Sequence, residues 1–184
     1  MDYKEIFDLI LDENNFTVGG GSSSAISGAM ACGLIGMVAN LSKSKGYSYV
    51  DSTYDEIINR LNIIKNEFLN SCVEDNKAYL LIVNAYKLPK TTEEEKEIRK
   101  SAIQEAGIKA ASVPLLNAKL NKEVCEIGKD LLENSNPSCY TDLHAGILLS
   151  EAGLKMGKEN VEVNLSLIKD EKIKKELVDE LEKL

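Results

Sequence analysis

The sequence has little of the residue types that most metal and nucleophile sites require. It contains one histidine, no tryptophan and four widely spaced cysteines, none of which forms a CxxC pair. Without a cluster of His and Cys ligands, we expect no metal site and no metal or redox cofactor. No Ser-His-Asp pattern is visible either. Because the N-terminus has no signal peptide, the cysteines predict free thiols in a cytoplasmic protein.

An excess of positive charge is also missing. The chain has 22 Lys and Arg residues against 30 Asp and Glu residues, which gives a formal net charge of −8. Because nucleic acids and anionic lipid surfaces attract basic proteins, this balance argues against both as partners. The 184 residues predict a single domain over residues 1–184, long enough to bury a sizeable core.

The clearest motif is the uncharged stretch Val18–Leu41, which begins with three consecutive glycines. Gly19, Gly20 and Gly21 allow backbone angles that are closed to other residues, so the chain can turn tightly or lie against a ligand. The serines that follow can cap a helix N-terminus, where an anion or a polar group binds readily. No Gly-Lys-Ser/Thr follows and no strand-like run precedes, which excludes a phosphate-binding P-loop.

The stretch Val18–Leu41 also allows two purely structural interpretations, in addition to that of a binding loop. About 20 uncharged residues is the length of a membrane span, but the frequent Gly and Ser and the charged flanks favour a buried helix of a bundle, without a membrane partner. Small residues also recur at every fourth position, which places them in one row where a second helix or a second chain can pack closely. They are Ser24, Gly28, Cys32, Gly36 and Asn40.

Helical periodicity continues through the remainder of the chain and predicts an all-α bundle of long antiparallel helices. Pro114 is expected to kink or break the longest pattern. Val161–Leu167 alternates like a strand but has no partner strand, so a helix and an extended link both stay open. Helices are predicted over Tyr3–Leu11, Asp51–Ala85, Glu93–Leu132, Thr141–Met156 and Glu171–Leu184.

Asp75 is the first candidate functional residue. It lies on a predicted helix three or four residues from Cys72 and Tyr79, and on the same face as Phe68. A carboxylate among core residues is either paired in an ion pair or placed for function, and both interpretations stay open.

Asp142 is the second candidate. It follows Asn136 and Pro137 at the start of a predicted helix, where a proline fits the first turn. Capping of that helix by Ser138 or Thr141 is the simpler interpretation of the segment.

Taken together, the motifs resemble one family, which comprises the C-terminal domain of formiminotransferase-cyclodeaminase and the single-domain methenyltetrahydrofolate cyclohydrolases. The matching segments occur in the family's order and cover nearly the whole chain. They are GGGS (Gly19–Ser22), MVANL (Met37–Leu41), EDNKAY (Glu74–Tyr79), LPKTTEEE (Leu88–Glu95), AIQEA (Ala102–Ala106), VPL (Val113–Leu115), NPSCYTD (Asn136–Asp142) and the segment Glu151–Asp170.

The resemblance implies an all-α subunit that forms a homodimer or a dimer-based oligomer and binds a tetrahydrofolate derivative as its substrate. It implies hydrolysis of 5,10-methenyltetrahydrofolate to 10-formyltetrahydrofolate. The alternative is a cyclodeaminase, which expels ammonia from 5-formiminotetrahydrofolate and closes the methenyl ring. A folate-binding helical dimer without catalysis is a third possibility.

The resemblance also assigns catalytic roles. Asp75 matches the acidic position of the family's Glu-Asp motif, and we expect it to stabilise the cationic methenyl carbon and to accept a proton from attacking water. Asp142 matches the Ser/Thr-Asp position and is expected to orient Asp75 or to bind the pterin. His144 falls where the family carries a small residue, so no essential role is expected for it.

Substrate binding is expected at the glycine turn and at one lysine. The turn would admit the flat pterin, or hold the anionic glutamate tail at the helix N-terminus. The lysine would supply a cation to that tail. The expected substrate-binding residues are Gly19, Gly20, Gly21, Ser22 and Lys90.

Overall fold

The computed structural model describes residues 4–12 and 17–184, and these form a helical bundle without strands. The prediction of an all-α fold is therefore confirmed. The predicted first residue of the first helix, Tyr3, lies outside the described residues. The helices are α1 (Lys4–Leu11), α2 (Gly20–Lys43), α3 (Asp51–Lys87), α4 (Glu93–Asp130), α5 (Tyr140–Leu165) and α6 (Glu171–Glu182), with a 3₁₀ turn at Pro137–Cys139 before α5.

Helix α2 is the centre of the bundle and packs against α3, α4 and α5. Its inner side is fully buried at Ala25, Ile35 and Val38, and meets Ile64 and Phe68 of α3 in one core cluster. Among the described helices, α2 alone has the length and hydropathy of a membrane span, and the core helix of a bundle meets the same criteria. Burial against three neighbouring helices explains why charges are missing from its inner side.

The row of small residues on α2 packs mainly within the chain. The Ser24 hydroxyl donates to the Gly153 carbonyl oxygen of α5 at 2.7 Å. Gly28 is buried directly against the ring of Phe68, so that no side chain fits between the two helices. At the other end of the row, Asn40 is exposed. The buried half of this row therefore allows the helices of one subunit to pack closely.

The sequence predicted a kink or a break at Pro114, and the break is absent, because α4 runs through that residue without interruption. A proline inside a helix removes the N–H that would bond the carbonyl four residues earlier, at a cost of about 3 kcal/mol. Here that carbonyl belongs to Ala110, and it accepts a hydrogen bond from the Asn164 side-chain amide of α5 at 2.9 Å. A side chain 54 residues away thus replaces the missing donor.

This replacement predicts a stability effect for Asn164→Ala. The substitution leaves the Ala110 carbonyl without its donor, so we expect the free energy of unfolding to fall by about 1–3 kcal/mol. Urea denaturation measures it. In a Pro114→Ala background the backbone N–H returns, and the loss caused by Asn164→Ala should shrink by at least about 0.5 kcal/mol. Equal losses in both backgrounds would contradict this explanation.

Helix α5 includes most of the segment whose sequence alternates like a strand. It extends beyond the predicted Met156 to Leu165, so Val161–Leu165 is helical. Val161 is fully buried and packs with Leu115 and Leu181, which fixes this end of α5 against α4 and α6. Two asparagines near this end of α5, Asn160 and Asn164, line the candidate site.

Candidate active site

The Asp75 side chain of α3 lies against the first turn of α2. The Ser22 hydroxyl donates to Asp75 Oδ2 at 2.9 Å. Gly19, the N-cap residue of α2, has no side chain to cap the helix, so the carboxylate from α3 occupies the place of a capping group. The glycine turn makes this approach possible. A Cβ on Gly21 would lie 2.7 Å from Asp75 Cγ, where only a glycine fits.

Burial raises the pKa of Asp75 above that of an ordinary aspartate, and hydrogen bonds from the Ser22 hydroxyl and backbone N–H oppose the rise without cancelling it. Burial has the larger influence because no cation pairs with the carboxylate among the described residues. This answers the question that the sequence left open, because Asp75 forms no structural ion pair with any residue of 4–12 and 17–184. A carboxylate with a raised pKa in a cleft is typical of a general base.

A pocket of about 210 Å³ opens beside this carboxylate. The glycine turn forms one wall, α3 and α4 form a second, and the C-terminal part of α5 closes the third. Its lining residues are Thr17, Gly19, Gly20, Gly21, Asp75, Ala78, Tyr79, Ile82, Ala110, Asn160 and Asn164. Four of the predicted functional residues, Asp75 and the three glycines, therefore meet at one pocket, and Ser22 contacts its carboxylate.

Sequence reasoning missed two amide side chains in this pocket. Asn160 and Asn164 donate their amide hydrogens to backbone carbonyls of Met156, Asn160 and Ala110 at 2.8–2.9 Å. Both Oδ1 atoms receive no hydrogen bond from the described residues and are free to accept one from a ligand. The available signal was their spacing of four residues, with Asn164 on the segment Val161–Leu167 and Asn160 just before it. This spacing gives a shared face only if the segment is helical.

Asp142 is not in this pocket. It lies in the first turn of α5, eighteen residues before Asn160, which corresponds to about 27 Å along the helix axis. The preceding Asn136 is fastened to the opposite end of α2, where its backbone N–H donates to Ser42 Oγ at 2.8 Å. Within one chain Asp142 therefore cannot orient Asp75, and its catalytic role stays a prediction that this geometry does not support.

The interpretation that Ser138 or Thr141 caps α5 is wrong, and the capping in the Asn136–Cys139 segment comes from a different residue. Asn136 Oδ1 accepts from the Ser138 backbone N–H at 3.0 Å and so caps the 3₁₀ turn. Helix α5 has no side-chain cap, so neither Ser138 nor Thr141 takes that part.

Lys90 also lies outside the pocket of Asp75. It lines a separate pocket with Tyr86 and residues of the first turns of α4. Among residues 4–12 and 17–184, no group of three or more His, Cys, Asp or Glu side chains has the arrangement of a metal site. The polar groups that line the candidate site are one carboxylate, two side-chain amides, the side chains of Thr17 and Tyr79, and the backbone of the glycine turn.

The fold and this site define a class of protein: an all-α bundle with a carboxylate held at the N-terminus of its central helix. Comparison with known proteins gives the family. Residues 5–183 match the family described as formiminotransferase-cyclodeaminase. The chain is 34% identical to a methenyltetrahydrofolate cyclohydrolase of Methylorubrum extorquens, over 91% of this chain and 81% of that protein.

One further relative and one solved structure support the same family. The chain is 33% identical to the formimidoyltransferase-cyclodeaminase of Gallus gallus over 86% of its own length, and it spans 29% of that longer protein. The crystal structure of formiminotetrahydrofolate cyclodeaminase from Thermotoga maritima has a TM-score of 0.87 at 30% identity, covering 100% of this chain and 87% of that one. The chain belongs to the formiminotransferase-cyclodeaminase family.

Proposed function

We propose that this protein is a folate one-carbon enzyme that hydrolyses 5,10-methenyltetrahydrofolate to 10-formyltetrahydrofolate. One structural observation carries the proposal: the half-buried carboxylate of Asp75, which has a raised pKa and no cation beside it in the described part of the chain, faces a pocket of about 210 Å³. The relative that shares 34% identity over most of both chains has the name of this activity.

Asp75 acts as base and as electrostatic partner in this mechanism. The methenyl carbon between N5 and N10 carries positive charge, and a carboxylate beside it stabilises that charge. Water attacks the carbon, and Asp75 accepts a proton from that water as the tetrahedral intermediate forms. Asp75 then returns this proton to N5 as the C–N5 bond breaks. The hydroxyl proton of the intermediate passes to solvent as the C=O bond forms, so the formyl group stays on N10 and one proton is released overall. No cation of the described residues competes for the carboxylate, so its charge is available to the substrate.

The pterin is positioned by the walls of the pocket. The Oδ1 atoms of Asn160 and Asn164 are fixed acceptors, because their amide hydrogens are held by backbone carbonyls. They suit the N–H groups of the pterin's pyrimidinone ring and amino group. The side chain of Tyr79 lines the same pocket one turn after Asp75 and offers an aromatic face to a flat ring.

The cyclodeaminase reaction is the second candidate. It is favoured by the likeness of the whole fold to the Thermotoga maritima cyclodeaminase, with a TM-score of 0.87. Both reactions pass through a tetrahedral carbon between N5 and N10, so the same carboxylate can serve either. The cyclodeaminase reaction differs in releasing ammonia and in forming the methenyl ring instead of opening it.

One assay separates these functions. Purified protein is mixed with methenyltetrahydrofolate, and the loss of its near-UV absorbance is followed against a buffer blank. Loss above the blank supports the cyclohydrolase. If absorbance instead rises from 5-formiminotetrahydrofolate with release of ammonia, the protein is a cyclodeaminase. Binding of folate without either change would overturn both and leave a non-catalytic folate-binding protein.

The raised pKa of Asp75 predicts a displaced acid limb in the pH profile of kcat/KM. Because the base must be ionised, turnover falls as the pH falls through this pKa, and the limb should lie above the ordinary aspartate value of about 3.9. The contribution of Asp75 to folding stability changes in the opposite direction, because the folded state holds its proton more tightly. This contribution to the free energy of unfolding should decrease as the pH rises through the same interval. Carboxylates with lowered pKa values, such as Glu180, act in the opposite sense, so the difference between wild type and Asp75→Asn measures it. A limb at or below the ordinary value would contradict the assignment.

We also propose that the protein is a cytoplasmic homodimer that uses the outer side of α2. Met30, Met37 and Leu41 are 40–55% exposed on this side, and Gly33 between them leaves open space. No charged residue interrupts α2 before Lys43. A second copy of the same uncharged, apolar surface is a self-complementary partner about a two-fold axis.

A further inference from the structure

Buried polar side chains are concentrated around the N-terminal part of α2. Ser22, Ser24, Asn117 and Asn121 are at most 2% exposed, and they are half of the buried polar residues in the described part of the chain. Ser22 holds Asp75, and Ser24 bonds to α5. Asn117 and Asn121 come from α4, and no step of the proposed mechanism uses them. A polar side chain in a core lowers stability unless its groups are bonded, so these two asparagines require an explanation.

Asn121 is bonded through its amide nitrogen alone. Its Nδ2 donates to the Ser24 carbonyl oxygen at 3.2 Å and to the Asn117 carbonyl oxygen at 2.9 Å. Its Oδ1 has no hydrogen-bond partner among the described residues. Gly28 of α2 and Gly153 of α5 leave room for it, because a Cβ on either glycine would overlap the amide group. Three helices are thus shaped around a side chain whose acceptor stays unsatisfied.

Asn117 repeats this arrangement one turn earlier on α4. It is fully buried, and its Oδ1 also has no hydrogen-bond partner among the described residues. Its Nδ2 donates to the Gly21 carbonyl oxygen at 3.5 Å, a weaker contact than the 3.2 Å bond to Ser24. Gly21 is the residue whose missing side chain admits the Asp75 carboxylate. The two asparagines therefore hold the carbonyl groups of Gly21 and Ser24, which lie on either side of Ser22 in the chain.

These contacts fix the position of Ser22 relative to Asp75. Both hydrogen bonds that the carboxylate receives from the described residues come from Ser22, one from its hydroxyl and one from its backbone N–H. The end of a helix frays easily, because its outermost backbone groups have fewer partners. Bonds from α4 to carbonyl groups of this turn oppose fraying, since each carbonyl oxygen has a second lone pair that the helix leaves free. The carboxylate is then held at one place in the pocket, as a general base requires.

We propose that Asn117 and Asn121 are positioning residues for the catalytic base. They act through Ser22, because they hold the first turn of α2 and so keep the Ser22 hydroxyl and N–H on Asp75. The catalytic consequence rests on the proposed function, whereas the structural part, a first turn fixed by α4, does not. A role in core packing alone is the alternative, and it predicts a loss of stability without a specific effect on Ser22 or Asp75.

Hydrogen exchange tests the structural part without any reference to turnover. The Ser22 backbone N–H donates to Asp75, so its exchange rate, measured by NMR, reports how firmly the first turn of α2 is held. We expect Asn121→Ala to raise this rate by about five- to tenfold, which corresponds to the loss of one hydrogen bond. Asn117→Ala should raise it less, because its contact is longer. It also provides a second variant if Asn121→Ala does not fold.

Val124→Ala is the matched control for a loss of packing. Val124 is fully buried on the same helix and lies in the central core cluster, so its truncation also lowers the melting temperature. Its side chain makes no hydrogen bond to α2, and the Ser22 exchange rate should stay at the wild-type value well below the melting transition. If this rate is unchanged in both asparagine variants, or rises equally in Val124→Ala, the proposal is wrong.

Turnover measures the catalytic consequence. Asn121→Ala should lower kcat/KM for methenyltetrahydrofolate by about 10- to 100-fold, since a small displacement of a catalytic group has an effect of this size. Val124→Ala should stay close to wild type. In a Ser22→Ala background the loss caused by Asn121→Ala should shrink, because the asparagine acts through Ser22.

Two results would contradict the role in positioning the base. One is an equal loss from Asn121→Ala in the wild-type and Ser22→Ala backgrounds, and the other is faster exchange at Ser22 with unchanged turnover. Absence of turnover with every folate would refute the proposed function alone, because hydrogen exchange still decides whether α4 fixes the first turn of α2.

Discussion

Asp75→Asn should reduce turnover of methenyltetrahydrofolate by about 10²- to 10⁴-fold while the protein stays folded. The loss follows from removing the only carboxylate among the described residues that line the candidate pocket, since a positioned general base contributes about that factor. Stability should hold because an asparagine Oδ1 can still accept from Ser22 and cap the first turn of α2. The initial rate of absorbance loss, together with a thermal melt, measures both effects.

The neighbouring Glu74 offers a matched control. It undergoes the same loss of charge in Glu74→Gln, but its side chain pairs with Lys77 at 2.8 Å and with Lys109 at 3.0 Å on another face of α3. Turnover in this variant should be close to wild type. Full turnover in Asp75→Asn would mean that Asp75 serves only as a cap for α2, and that the base lies elsewhere.

The same assay on Asp142→Asn measures the role that the family resemblance assigned to Asp142. The distance along α5 predicts that activity persists if the active site lies within one chain. A loss comparable to that of Asp75→Asn would instead show that Asp142 reaches the active site of a second copy.

Gly28→Leu should unfold the protein or lower its free energy of unfolding by about 3 kcal/mol or more. A Cβ on Gly28 would overlap the ring of Phe68 and lie 2.7 Å from Asn121 Oδ1. Phe68 is fully buried in the central core cluster, so the ring has no space into which it can turn. A thermal or urea denaturation curve measures the loss, which is a large part of a typical total of 5–15 kcal/mol.

Gly33→Leu on the same helix is the matched comparison. A Cβ at Gly33 meets no atom within 4 Å, and leucine has the higher helix propensity, so the subunit should fold at least as stably as wild type. The larger side chain stands on the exposed side between Met30 and Met37, and it should weaken the proposed dimer in sedimentation. A folded Gly28→Leu variant that has lost its dimer would show the reverse arrangement, with the row of small residues as the interface between subunits.

Local sequence signals predicted most of the helices. The start of α4 is an example, because Thr92 and Glu95 form the reciprocal capping box that their spacing of three residues allows. Asp75 was found in the same way, since its spacing from Phe68 placed it on an inward face of α3. These features depend on residues within one or two turns of each other, so periodicity and capping chemistry are sufficient to predict them.

The tertiary structure decided which of these local features meet. Asn164 keeps α4 continuous past Pro114 through a contact between residues 54 positions apart. The first turn of α2 brings its glycines to Asp75, while the length of α5 separates that residue from Asp142. The sequence by itself determined the helices and the candidate carboxylate. Only the packing of α2, α3, α4 and α5 determined the pocket, because contacts between distant residues depend on how whole helices are arranged and leave no local periodic signal.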